Sequence, residues 1–214
     1  MKSLFLIPFL GMFLAMGSVS KNDTPNKPKQ PDRVLSIQEQ RWNAATVRTS
    51  KQSNVRWVTR QIERNKSRYV ALEKQSGVAW WAIACLHNME CSLSFNKHLH
   101  NGNPLTKRTY WVPKGRPKTG NPPFTFEYSA LDALKYDRMD KVDWKDLTAS
   151  LNAFEGYNGW GYKKYHKSVP TPYLWSFTTV YTKGKYVSDG KFSYTAVSQQ
   201  VGIAALMKEL GVKF

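Results

Sequence analysis

Residues 78–95 read VAWWAIACLHNMECSLSF, an apolar run that carries a single carboxylate, Glu90, near its far end. At helical spacing Trp80, Ile83, Leu86, His87 and Glu90 fall on one side, so the acid continues a stripe that is otherwise apolar. A carboxyl held beside apolar side chains loses hydration in its charged form. Its pKa then rises, and it can keep a proton near neutral pH. Glu90 is therefore a candidate general acid; the competing reading is a glutamate at a fraying helix end that points into water. Cys85 and Cys91 are the only cysteines. Six residues apart on one helix they point to different sides, so a bridge requires the helix to end between them. The alternative is two small buried hydrophobes. No base stands near Cys91 in the sequence to make it a nucleophile.

Outward from this run, Gly77 interrupts the preceding pattern and admits the central helix. Before it, residues 55–74 place Val55, Val58, Ile62, Tyr69 and Leu72 near helical spacing with basic residues between them, which predicts one amphipathic helix with a solvated cationic face. After Phe95, residues 96–130 are dense in Gly, Pro, Asn and Thr. Asn101-Gly102 marks a turn, and Thr109-Tyr110-Trp111-Val112 is the best strand in the chain, so a loop with a small hairpin is expected here. His98 and His100 alternate as in some metal sites, yet no cysteine or carboxylate stands at ligand spacing. No metal or other cofactor is predicted. The imidazoles are expected to order the loop or, for His100, to hydrogen-bond a polar ligand.

Residues 128–136 and 146–154 show short helical periodicity, with Ser129 and Asp146 as starts. The second segment runs into Glu155-Gly156-Tyr157-Asn158-Gly159-Trp160-Gly161-Tyr162. Three glycines among aromatic rings make a backbone that lets a ligand approach flat apolar faces, as sugars require. Residues 168–192 continue the aromatic, Pro and Gly pattern and are expected to wrap the surface. Residues 194–210 read as a closing helix stopped by Gly211.

At the other end, residues 1–20, MKSLFLIPFLGMFLAMGSVS, carry one lysine, an apolar core from Leu4 to Met16 and then small residues, the pattern of a secretory signal peptide. The core is short against the ~20 residues of a membrane span, so no stable membrane insertion is expected after its removal. Residues 21–35 begin as a polar, proline-rich linker. The net charge is +17, of which only Lys2 lies in the leader. So basic a chain calls for an acidic partner, and export to a secreted or periplasmic location favours the anionic bacterial wall over nucleic acid, for which no recognition motif is present.

The combination of His87-x-x-Glu90-Cys91-Ser92-x-x-Phe95, the loop from His98 to Leu105 and Glu155-Gly156-Tyr157-Asn158-Gly159 resembles bacterial and phage lysozyme-like proteins, and more distantly soluble lytic transglycosylases and goose-type lysozymes. The resemblance runs from about Val78 to the C-terminus. It implies a mainly α (α+β) lysozyme-like domain over residues 36–214, a helical body with a small β-hairpin and long Gly/Pro-rich loops. It also implies that Glu90 closes the catalytic helix, where Cys91 stands in place of the family's usual serine, and that Tyr157, Asn158 and Gly159, with His100, line a glycan cleft. The expected partner is the peptidoglycan glycan strand and the expected reaction is cleavage of its MurNAc-GlcNAc bond, Glu90 protonating the bridging oxygen. A hydrolase adds a second carboxylate, for which Glu155 ranks ahead of Asp132 and Asp137; Glu155 equally serves as a fixing point for the glycine-rich loop. A lytic transglycosylase needs none, because the C6 hydroxyl of the muramic acid attacks instead. The rival from another class is a noncatalytic wall- or polyanion-binding protein. The oligomeric state is not legible.

Overall fold

The structure is a computed structural model that describes residues 34–214; the leader and all but the end of the linker lie outside the described residues. Residues 35–214 form one compact unit. Helix α1 spans Ile37–Ala44, α2 Gln52–Arg64, α3 Lys66–Ser76, α4 Trp80–Cys91, α5 Phe126–Tyr136, α6 Leu147–Tyr157, α7 Gly161–Tyr165, α8 Pro172–Trp175 and α9 Ile203–Glu209, with a two-stranded antiparallel sheet, β1 Lys185–Ser188 and β2 Lys191–Ser193. The described residues are thus mainly helical with one small hairpin, the fold class the sequence predicts.

Helix α4 is the axle. Trp81 through Asn88 and Cys91 are all buried, as befits a helix that is apolar nearly all round. It packs against α3 on one side and α9 on another. Ile83 and Leu86 are wholly enclosed, each contributing about 1.5–3 kcal/mol by burial. Gly77 adopts the left-handed conformation (φ 74°) and ends α3 before α4 begins, as expected. At the other end Ser92 and Leu93 both take positive φ. The Ser92 and Leu93 amides donate back to the carbonyls of Asn88 and His87, so the helix stops one turn after His87 and leaves Glu90 in its last turn.

Four boundaries differ from the sequence reading. The helix expected over residues 55–74 is two, because the Asn65 side chain donates to the Gln61 carbonyl (3.0 Å) and competes with the helical ladder. The apolar face nevertheless continues across the break, with Val55, Ile62, Tyr69 and Leu72 all buried. Helix α5 is capped by Thr125 rather than by Ser129, and α6, capped by Asp146 as expected, runs three residues further, to Tyr157. The closing helix begins only at Ile203, because the Gly202 backbone lies against that of Leu174 and Ser176, where a Cβ would come within 2.6–2.7 Å of main-chain atoms.

The hairpin also lies elsewhere. Thr109–Val112 forms no ladder: the Tyr110 and Trp111 amides donate to the Asn103 side chain instead (2.8 and 3.0 Å). The observed hairpin turns at Asp189-Gly190, with Gly190 at φ 66°, a turn dipeptide inside the segment expected only to wrap the surface. Both cysteines are free and buried.

Candidate active site

Glu90 projects from the last turn of α4, and its carboxyl accepts a hydrogen bond from the Tyr173 hydroxyl (2.8 Å). Tyr173 is placed by α8, a single turn whose Pro172 presets its first residue. Two other segments reach the same helix end, and a third bonds to one of them. The Gln200 amide donates to the Met89 carbonyl (2.9 Å). Gly102, at φ 74°, lets the loop pass so near that a Cβ would sit 2.8 Å from the Glu90 carbonyl oxygen. Tyr157, from the end of α6, donates to the Leu99 carbonyl (3.0 Å).

Desolvation dominates the electrostatics. Burial pushes the Glu90 pKa up to about 7, the Tyr173 hydrogen bond pulls it back, and the charge of Asp137 adds to the rise. Asp137, just past α5, is itself raised to about 6, first by desolvation, with Arg116 opposing. Tyr157 feels both carboxylates. Glu90, Asp137, Tyr157 and Tyr173 therefore share one electrostatic neighbourhood. Of these four only Tyr173 reaches a cavity of about 620 Å³, which is also lined by Asn158, Gly159, Tyr186 and Gln200, with the hairpin as one wall; Glu90 is joined to it through the Tyr173 hydroxyl.

The residues singled out in the sequence divide into two groups. Asn158 and Gly159 line the cavity, and Tyr157, next to them in the chain, is buried within the field of Glu90. Glu155 and His100 do neither. Glu155 is two residues from Tyr157 on the same helix, about 200° around it, and its carboxylate accepts from Gln38 of α1 (2.7 Å). At 5 % exposure, and with its charge acting on Arg41, it joins α6 to α1 rather than facing Glu90 or fixing the glycine-rich loop. His100 is buried and bonds Asp132 through Nε2 (2.9 Å); desolvation lowers its pKa, so it stays a neutral imidazole that orders the loop. Asp132 also takes the Arg116 guanidinium, which leaves it committed to structure. His98 bonds Ser129 and the Lys107 carbonyl, both at 2.7 Å, and His87 bonds Tyr69 at 2.9 Å. Among the described residues no group of three ligating side chains could hold a metal ion.

No family model matches the chain, and neither the curated proteins nor the solved structures provide a match. The site is consequently read on its own geometry. Tyr173 and Gln200 are the members that the sequence does not reveal, since each lies more than 80 residues from Glu90 with no pattern linking them. Asp137 is visible but outranked.

Removing the Tyr173 hydroxyl isolates one contribution. A hydrogen bond to the charged form favours ionisation, so Tyr173→Phe is expected to move the Glu90 pKa upward from about 7. A ¹³C-detected NMR titration of the carboxyl checks the shift, and the high-pH limb of any activity that depends on protonated Glu90 should move in the same direction. An unchanged titration would mean that the hydroxyl does not set the protonation of Glu90.

Proposed function

We propose that the protein cleaves peptidoglycan glycan strands at the MurNAc-GlcNAc bond, with Glu90 as the general acid. The observation that carries this reading is a carboxyl raised to about 7 and hydrogen-bonded by Tyr173, whose ring lines a cavity together with Asn158 and Gly159. A proton donor working near neutral pH needs a pKa close to the ambient value, so that it is both protonated and willing to give the proton up. Glu90 protonates the bridging oxygen, the bond breaks, and the oxocarbenium-like sugar is left facing the cleft. In a hydrolase water then attacks, and Asp137 replaces Glu155 as the second carboxylate that assists it, because it is the acid whose charge acts on Glu90. In a transglycosylase the C6 hydroxyl attacks, its proton returns to Glu90, and an anhydro product leaves. The charge of +17 supports an anionic wall as the surface on which this happens.

Incubation of the chain from Lys21 onward with purified sacculi, followed by separation and mass spectrometry of what is released, tests the reading. Soluble muropeptides are expected. Reducing ends identify hydrolysis, and anhydromuramyl ends identify transglycosylation. Tight wall binding with no release by folded protein would overturn catalysis and leave the noncatalytic wall-binding alternative.

A further inference from the structure

Between α4 and α5 the chain runs from Ser92 to Thr125 without a helix or a named strand, and this stretch contains no Asp or Glu but six Lys and Arg residues. One of these, Arg116, is consumed by Asp132 of α5. Lys107, Lys114 and Lys118 are exposed, and none of them makes an ion pair with another described residue. Among them stands an apolar tip. Tyr110 is 49 % exposed, Trp111 60 % and Val112 88 %. Tyr110 and Trp111 contact one another edge to face, and Val112 is open to solvent.

The tip is held out rather than left loose. The Tyr110 and Trp111 amides donate to Asn103, and the Trp111 and Val112 carbonyls accept from Asn101 (3.0 and 3.3 Å). The Pro113 carbonyl accepts from the Thr109 hydroxyl, which in turn accepts from the Arg116 amide. Asn103 is itself buried. Most of the tip's main-chain polarity is therefore spent inside the protein. An incoming surface meets two amphipathic rings, an aliphatic side chain and exposed cations. Those are the groups that favour a lipid headgroup boundary, where Trp and Tyr partition and where unsatisfied backbone would oppose entry. A glycan would instead be met by hydrogen-bonding groups beside the rings, and Val112 offers none.

We infer that the loop tip Tyr110-Trp111-Val112, with Lys107, Lys114 and Lys118, docks the protein on the surface of an anionic lipid bilayer. The contact lies in the interface plane and spans nothing; the aromatic and aliphatic side chains enter the headgroup region while the lysines meet anionic lipid. It does not depend on the reading of Glu90.

The test uses the chain from Lys21 onward, so that the apolar leader contributes nothing, and sedimentation with vesicles of phosphatidylglycerol and phosphatidylethanolamine in equal parts. Binding is expected to these vesicles, to fall steeply with added salt, and to be absent with pure phosphatidylcholine. The double variant Trp111→Ser/Val112→Ser should lose about tenfold or more in partitioning, because the buried apolar area of both side chains is removed. The variant Lys107→Gln/Lys114→Gln/Lys118→Gln should lose at least as much at low salt while melting like the parent. Either variant sedimenting as the parent does would overturn the inference. So would a tip variant that keeps vesicle binding but loses binding to lipid-free sacculi, an outcome that would assign the tip to glycan.

Discussion

Glu90→Gln should lower glycan cleavage by about 10²- to 10⁴-fold, the range that a positioned general acid contributes, while making the protein more stable above neutral pH. The first effect follows from the loss of the transferable proton: the amide keeps the shape, and its carbonyl still accepts from Tyr173, but it cannot protonate a bridging oxygen. The second follows from linkage. Glu90 has its pKa raised from 4.5 to about 7 by burial, so between those values the folded state holds a proton that the unfolded state has released. Stability contributed by this group is complete below about pH 4.5, is lost as pH rises towards 7, and stays lost above it. Glutamine has no such dependence. Chemical denaturation at pH 8 should therefore show the variant more stable by ~1–3 kcal/mol, with the difference shrinking as the pH falls from about 7 to 4.5 and gone below that. A stability gain together with lost muropeptide release is the signature of a residue that catalyses at the expense of the fold. Retained release at wild-type rate would remove Glu90 from the mechanism, whatever the stability did.

What could be read from the sequence was local. The apolar run from Val78, the stop at Gly77 and the Asp146 cap are written in neighbouring residues, and Glu90 was conspicuous as the single carboxylate of a largely apolar run. The errors have the opposite character. Thr109–Val112 has the composition of a strand, but whether it pairs depends on where Asn103 puts its side-chain oxygen, and that is decided by folding of the loop. Residues 194–202 lack any helix breaker strong enough to announce the break; only the approach of the Leu174–Ser176 backbone makes Gly202 a boundary. The placement of Glu155 and Asp137 is the clearest case. Glu155 sits beside the conspicuous Tyr157-Asn158-Gly159, yet two residues along a helix is just over half a turn, and the intervening rotation sends it to Gln38. Asp137 reaches the neighbourhood of Glu90 through tertiary packing alone. Tyr173 arrives in the same way, 83 residues further along the chain.

Asp132→Ala should carry the largest stability cost among the polar residues around the site, about 2–4 kcal/mol. Long loops hold a shape only where something anchors them, and the segment from Ser92 to Thr125 has its anchor on one face of α5. Ser129 takes His98 there, and Asp132, three residues on and therefore on the same face, takes both His100 and Arg116. Alanine would strand the wholly buried His100 side chain without its acceptor and leave Arg116, only 16 % exposed, without its ion-pair partner. Stranding a buried donor costs more than its bond had contributed, because neither water nor another partner replaces the acceptor. Asp132→Asn keeps an acceptor for His100 while removing the charge, so it should lie between the parent and the alanine variant. Denaturant unfolding gives the order, and amide hydrogen exchange gives the place, with faster exchange expected first at the Gly102, Tyr110 and Trp111 amides. The consequence reaches the chemistry because Gly102 lies against the Glu90 carbonyl and Arg116 opposes the rise of the Asp137 pKa. Loosening the anchor therefore frees the loop that lies against Glu90 and takes a nearby cation from Asp137, so cleavage should fall with the loop rather than with global unfolding. Unchanged exchange across residues 98–118 in a variant that is nonetheless destabilised would show that the loop holds its shape without α5, and would confine the role of Asp132 to the helix.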